Sequence, residues 1–459
     1  MKETLNPSVD NKCPIPEKLN LAIGMEKIPV ATPEMTEREL RDLVVKFMYL
    51  QINFAYTPTF SDRTEYKYRI KNKDKSYGFD GCQIPFEEGK YYGGIPYVGN
   101  AAGSLYRWLE FYDAETGAMN WDPIVRTRRE NWVDANTGKV YPDVGSAIFG
   151  NSCSASSTWS WLRVTNKIDN FWTYTSIPKY GFVKVGDYEL AEDGTYGPST
   201  TELCQTNGTD RIYAAYAKIK KADGIVKTGH VAMCIEDAVV VYGEDGRING
   251  EESYVIFAEQ TGEFLTRSPA KGGVLLYSPL NDKGDSYRIQ GNFAGNIVNE
   301  KLNECKWSFA TLFEKGFLPF TVPELCGKAT VDKSEVGLYK NGELYTAAEI
   351  KLGDLKNMTV DSNYPISDVH FTVRDEAENR LFSAMYAANT EDTNRTTSVK
   401  VLKSYSAEAA LFDNVIYPEK DHINANLLSF AEKGKHTLEI TARVSTGELL
   451  TVYTGSLAE

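Results

Sequence analysis

Hydrophobic positions along this chain change their period three times, and each change marks a different kind of structure. From Thr36 the pattern Leu40, Leu43, Val44, Phe47, Met48, Phe54 has helical spacing, and Thr36-x-x-Glu39 ahead of it is a capping box. Tyr56-Thr-Pro should end that helix. A second helix is expected from Cys153 to about Val164, and a third from Asp210 to Lys220, with Ile212, Tyr213, Tyr216 and Ile219 on one face. Short apolar segments come next at 225–227, 230–236, 238–242 and 253–259, which predict strands, with Gly243–Gly250 as a polar loop between the last two. Lys306–Lys315 predicts a short helix stopped by Gly316, with Pro319 and Pro323 beyond it.

After Gly327 the helical period disappears. Alternating segments at Glu335–Tyr339, Val369–Val373, Ser398–Leu402, Thr437–Val444 and Leu449–Tyr453 are separated by Asn, Asp, Gly and Lys turns, the pattern of a β-sandwich. Three units result: an N-terminal arm over residues 1–35, a mixed helix-and-strand domain over 36–327, and an all-β sandwich, immunoglobulin-like, over 328–459. The fold class is therefore α+β. A stretch near 104–150 reads as an insertion rich in aromatic residues and glycine. Asp113-Ala-Glu-Thr-Gly117 and Asp134-Ala-Asn-Thr-Gly138 in it suit two hairpin tips better than calcium loops.

Composition narrows the function. A net charge of −13 with dispersed Lys and Arg argues against a nucleic-acid surface. No run of eighteen apolar residues exists, so no transmembrane segment is expected, and the N-terminus lacks the apolar core of a signal peptide. The seven cysteines form no C-x-x-C pair and no zinc spacing, and no metal or organic cofactor is implied.

Histidine is scarce in a useful way. Of four, three (His370, His422, His436) fall in the sandwich, where they sit at apparent turns and look incidental. Only His230 serves the first 369 residues, opening an apolar strand in Lys-Thr-Gly-His-Val-Ala-Met-Cys. Cys153 lies in Gly-Asn-Ser-Cys-Ser-Ala, with Asn151 or Ser152 as N-cap, so its sulfur belongs to the first turn of a helix. Unpaired N–H groups there lower a thiol pKa and can receive an oxyanion, and a histidine can take and return the proton. A strand beside His230 can supply the group that orients its ring. Glu259 or Gln260 fits that place, and Glu259 is favoured because Tyr254, Ile256 and Ala258 then share the other face. Cys13, Cys82, Cys204, Cys234, Cys305 and Cys326 read as packing residues. The tryptophan cluster between 108 and 172 reads mainly as core, and Arg126, Arg128 and Arg129 as a solvated charge run.

These segments resemble NlpC-type cell-wall peptidases of the papain-like cysteine hydrolase superfamily. Gly94-Ile-Pro-Tyr97-Val-Gly99 and Asn151-Ser-Cys153-Ser-Ala155 resemble the family's Tyr-x-x-Gly-Gly and Asp-Cys-Ser-Gly stretches. Ala222-Asp-Gly-Ile-Val-Lys-Thr-Gly-His230-Val-Ala-Met-Cys-Ile235 resembles its Gly-His-Val-Gly-Ile-Tyr strand. The resemblance spans roughly residues 36–325. It implies amide hydrolysis through a Cys153 thioester, often in peptidoglycan stem peptides, with Cys153, His230 and Glu259 or Gln260 as triad. It also implies that Tyr97 lines the site. Ser154, Trp121 and Trp132 are further candidates for substrate contact. Ser152 and Ala155 depart from the family's Asp and Gly, and the Tyr97-to-Cys153 interval is longer than usual. Two other readings remain open: acyl chemistry on a small conjugate with the same triad, and a glycan- or peptide-binding protein with a decayed centre. An extracellular or envelope location is expected, with the C-terminal unit available for cell-wall contact.

Overall fold

A computed structural model of the chain describes residues 28–53, 152–168, 178–260, 306–355, 357–387, 397–401 and 436–458, together with short strand pairs and isolated positions elsewhere. Tyr97, Trp121, Arg126, His422, Cys13, Cys82 and Cys305 lie outside the described residues. The architecture is mixed α+β, with few helices and several antiparallel sheets.

Helix α1, Glu37–Asn53, begins as its capping box requires. Thr36 N–H and Oγ1 both donate to Glu39 Oε2 at 2.8 Å, and Glu39 N–H donates back to Thr36 Oγ1. Leu40, Leu43, Val44, Phe47 and Met48 are buried along one face, each stabilising by about 1.5–3 kcal/mol. On the same helix Arg41 is a buried anchor. Its guanidinium donates to Asp223 Oδ1 at 2.7 Å and to the carbonyls of Lys221 and Leu325.

The helix packs with α2, Cys153–Trp161, against an antiparallel sheet. Its order is β1 (Val183–Lys184), β7 (Leu318–Thr321), β2 (Gly224–Lys227), β3 (His230–Cys234), β4 (Tyr254–Gln260), β5 (Val274–Leu276); β6 (Lys306–Ser308) also pairs with β4. Between β3 and β4 the expected strand at 238–242 is reduced to two isolated bridges, Val239 to Tyr254 and Tyr242 to Ile248. The expected helix at 306–315 is likewise shorter. Its first three residues form β6, and the helix itself is Phe309–Glu314, with Ser308 Oγ accepting the Thr311 N–H. Close packing at β2 depends on Gly224, where a Cβ would lie 2.2 Å from the Phe320 ring. Trp161, Phe182 and Phe320 meet edge-on around that point.

In the aromatic-rich stretch, Trp132–Val133 pairs with Val140–Tyr141, and Arg128–Arg129 with Val144–Gly145 in the same register. Asp134–Gly138 thus joins two paired strands, as its turn residues suggest. The other tip does not. After Gly117 (φ +72°), Ala118–Met119 pairs in parallel with Thr57–Pro58, so among the described residues it closes no hairpin. Turn chemistry is local, whereas the strand partner is chosen by the rest of the fold.

A second core draws on two sheets. One contains β8 (Val336–Lys340), β9 (Glu343–Leu344), β11 (Met358–Ser362) and β14 (Ser398–Lys400). The other contains β10 (Glu349–Lys351), β12 (Ile366–Arg374), β13 (Arg380–Ala387), β15 (His436–Val444) and β16 (Leu449–Ala458). His370 is not at a turn, contrary to the sequence reading. It lies in mid-strand on β12, buried, with Nε2 bonded to Asp368 Oδ1, while Arg443 Nε on β15 donates to Asp368 Oδ2 at 3.2 Å. His436 opens strand β15. Alternation places Asp368 and His370 on one face, so a polar trio sits inside an otherwise apolar pattern.

The β15–β16 turn docks on the end of α2. Ser445 Oγ donates to the Leu162 carbonyl at 2.8 Å, and Asn166 Nδ2 donates to the Asn363 carbonyl. Gly447 has φ +90°, and a Cβ there would come within 1.8 Å of Arg163 Nη1. Arg163 in turn stacks over Phe47 at 5.1 Å and donates to the Pro29 carbonyl. Gly447→Ala should therefore lower unfolding free energy by about 1–3 kcal/mol, read as the denaturation midpoint. An unchanged midpoint would mean that the turn does not bear on Arg163.

Candidate active site

Ser152 starts α2. Its backbone is extended (φ −81°, ψ 171°) and its Oγ accepts the Ala155 N–H at 3.3 Å, which makes Cys153 the first helical residue. Ser156 N–H uses the Ser152 carbonyl, so the N–H groups of Cys153 and Ser154 are the donors of that turn free for the sulfur and its surroundings. All nine residues of α2 are buried although five are Ser or Thr. Such small side chains let the helix fit closely between α1 and the sheet. Several of the buried polar groups are satisfied: Gln51 Nε2 donates to Ser160 Oγ and to the Ser156 carbonyl, and Trp161 Nε1 to the Ala222 carbonyl.

His230 is the first residue of β3, following Gly229 at φ +80°. In the β3–β4 register Met233 lies opposite Ala258 and Cys234 opposite Phe257. Two-residue alternation then sets Glu259 on the same face as His230 and Cys234. His230 Nε2 bonds Glu259 Oε2 at 2.5 Å, leaving Nδ1 as the ring nitrogen for Cys153, with which the imidazole shares a hydrogen bond. Glu259 is 2% exposed, and its second oxygen has no hydrogen-bond partner among the described residues. Gln260 ends β4 opposite Val274, one residue further along.

Electrostatics divide the four described cysteines into two kinds. Burial pushes the Cys153 thiol up, but the charge and hydrogen bond of His230, with the N–H groups of Val231 and Ser154, outweigh it and hold the pKa below the ordinary value. The other three go the opposite way. Burial raises Cys204 to about 12, Cys234 well above the usual thiol range, and Cys326 more modestly. For His230, burial alone would lower the pKa. The Glu259 carboxylate and the Cys153 thiolate overcome it and raise the imidazole to about 10. The two charges thus favour each other, a thiolate beside an imidazolium, with the Glu259 carboxylate behind the ring.

Of the residues singled out in the sequence, Cys153, Ser154, His230 and Glu259 come together. Ser154 Oγ shares a 3.2 Å hydrogen bond with Ser152 Oγ. Trp132 lies in the short strand Trp132–Val133, of which only the backbone is described. Trp159 and Trp161 are core residues. Sequence reasoning missed two neighbours of the histidine. Phe317, just before β7, stands edge-on to the His230 ring at 6.4 Å, and Lys227 is the cross-strand partner of His230. A two-residue turn at Thr228-Gly229 was the signal for Lys227; Phe317 had none, being 87 residues away in the chain. Among the described residues no group of His, Cys, Asp and Glu is placed to hold a metal ion, and no helix is long and apolar enough to cross a membrane. In comparisons with known proteins, no family model and no curated protein matches the chain.

Proposed function

We propose that the chain is a cysteine hydrolase of papain-like, NlpC-type architecture that cleaves an amide bond, with peptidoglycan stem peptides as the leading substrate class. The observation that carries the reading is the bonded series Cys153–His230–Glu259, in which a helix N-terminus and two adjacent strands contribute one member each. Ser152 supports it further, because it performs the capping that an aspartate before the cysteine would perform.

In this mechanism the Cys153 thiolate attacks the carbonyl carbon, and the oxyanion that forms is received by the Cys153 N–H at the start of α2. Imidazolium His230 gives its proton to the leaving amine as the C–N bond breaks, which leaves a Cys153 thioester. Neutral His230 then takes a proton from water, hydroxide adds to the thioester, and the acid departs as the thiolate reforms. Glu259 fixes the ring through Nε2 and stabilises its positive charge whenever the ring is protonated. Acyl chemistry on a small conjugate would use the same steps. The short His230–Glu259 contact supports hydrolysis over a binding protein with a decayed centre.

Incubation of the purified chain with muropeptides, read by mass spectrometry for products that have gained one water, tests the proposal. Cleavage by the native chain and its abolition in Cys153→Ala are expected. Cleavage undiminished in Cys153→Ala would overturn the chemistry, and intact muropeptides beside a reactive Cys153 would overturn the substrate class.

A further inference from the structure

Most described lysines whose contacts are visible end on a carboxylate: Lys167 on Asp332, Lys218 on Asp187, Lys220 on Glu37, Lys221 on Asp42 and Lys340 on Asp354. That is what a chain with 63 acidic residues against 50 basic ones should produce. Lys179, Lys184 and Lys315 lie over aromatic rings instead, and so does Lys227. Its Nζ lies 5.3 Å from the centroid of the Phe317 ring, and among the described residues it forms no ion pair. Its position is not incidental, because Lys227 pairs directly across the β2–β3 hairpin with His230, so both side chains leave the same face of the sheet. Phe317 lies beside both of them, its ring steeply inclined to that of His230. The ring strip continues to Trp307, 5.8 Å from Phe317, and Lys315 Nζ lies 5.0 Å over Trp307, also without an ion pair among the described residues.

We infer that Lys227 is a specificity-determining residue that binds a carboxylate of the substrate close to the scissile amide, with Lys315 as a more distant second cation. The inference rests on the hydrolase reading above. An aromatic ring holds an ammonium group in place by cation–π attraction without neutralising its charge, which leaves it available to an anion. The spacing through Phe317 puts that anion within about three extended residues of the reacting carbonyl. The Cys153 thiolate and Glu259 carboxylate offset the charge of imidazolium His230, so the two ammonium groups are the cations beside it that would favour the approach of anionic amides over neutral ones.

A pair of thiol reagents that differ mainly in charge tests this without a known substrate: iodoacetate, which carries a carboxylate, and iodoacetamide, which does not. Rates at Cys153 in the full chain are compared at neutral pH and low ionic strength. Lys227→Met should lower the iodoacetate rate relative to the iodoacetamide rate about two- to fivefold. Lys227→Arg should restore the ratio, Lys315→Met should change it less than Lys227→Met does, and Lys351→Met, on the exposed edge of the second core, should leave it alone. An unchanged ratio in Lys227→Met would overturn the assignment, as would a larger effect from Lys315. If Cys153 is inert to both reagents, the hydrolase reading falls and the inference with it.

Discussion

His230→Ala should remove most of the reactivity of Cys153: alkylation near pH 6 falls about tenfold or more, and amide hydrolysis by about 10²- to 10⁴-fold. The two losses differ because they draw on different services of one ring. Alkylation needs only the thiolate, which His230 stabilises against the burial that pushes the thiol up. Without the imidazolium, the N–H groups of Val231 and Ser154 remain to oppose desolvation. Hydrolysis also needs a proton delivered to the leaving amine and later taken from water, and the first 369 residues offer no second imidazole for either step. The checks are stopped-flow alkylation and product formation on one preparation. Losses of equal size in both assays would mean that His230 acts through the thiolate alone.

Glu259→Gln should produce the second largest effect, and its signature is a pH profile. The carboxylate is a main reason His230 titrates near 10 instead of near its ordinary 6.5. With glutamine in place the upper limit of the active window moves down toward neutrality, and hydrolysis at mildly alkaline pH falls about 10- to 100-fold. Stability obeys the same linkage. His230 has a raised pKa in the folded state, so its contribution is complete below about 6.5 and is lost as pH rises through about 10. Cys153 has a lowered pKa, so its contribution is present above the ordinary thiol range and is lost as pH falls through the folded value. Native stability should therefore decline on the alkaline side through the His230 term, and Glu259→Gln should flatten that decline. Chemical denaturation between about pH 7 and pH 10 measures it. A Glu259→Gln protein with the native profile in both activity and stability would remove Glu259 from the account.

The parts of this arrangement that could be read from the sequence are those written in local chemistry. Thr36 and Glu39 name a helix start by themselves, and Ser152 before Cys153 names another. Choosing Glu259 over Gln260 needed only the two-residue period of a strand and the apolar character of its alternate positions. The features hidden from the sequence were set by partners distant along the chain. Pro319 suggested only a stop beyond a helix end, yet it lies within β7, where its carbonyl accepts from Val185 N–H and the Tyr188 hydroxyl. Helix α3, Thr200–Asn207, carries no apolar stripe of its own and took its place by packing. The docking of Ser445 and Gly447 on α2 joins residues nearly three hundred positions apart, and no local pattern encodes it.

The central claim is that one thiol of this chain is held as a thiolate by one histidine, and site-resolved alkylation of the native protein tests it most directly. Iodoacetamide labelling from pH 5 to 9, resolved by peptide mass spectrometry, should show Cys153 reacting fast at the acid end, while Cys204 and Cys234, raised by burial, stay silent. That selectivity should disappear in His230→Ala. Slow labelling of Cys153, or labelling that rises only with the pH of an ordinary thiol, would contradict the account.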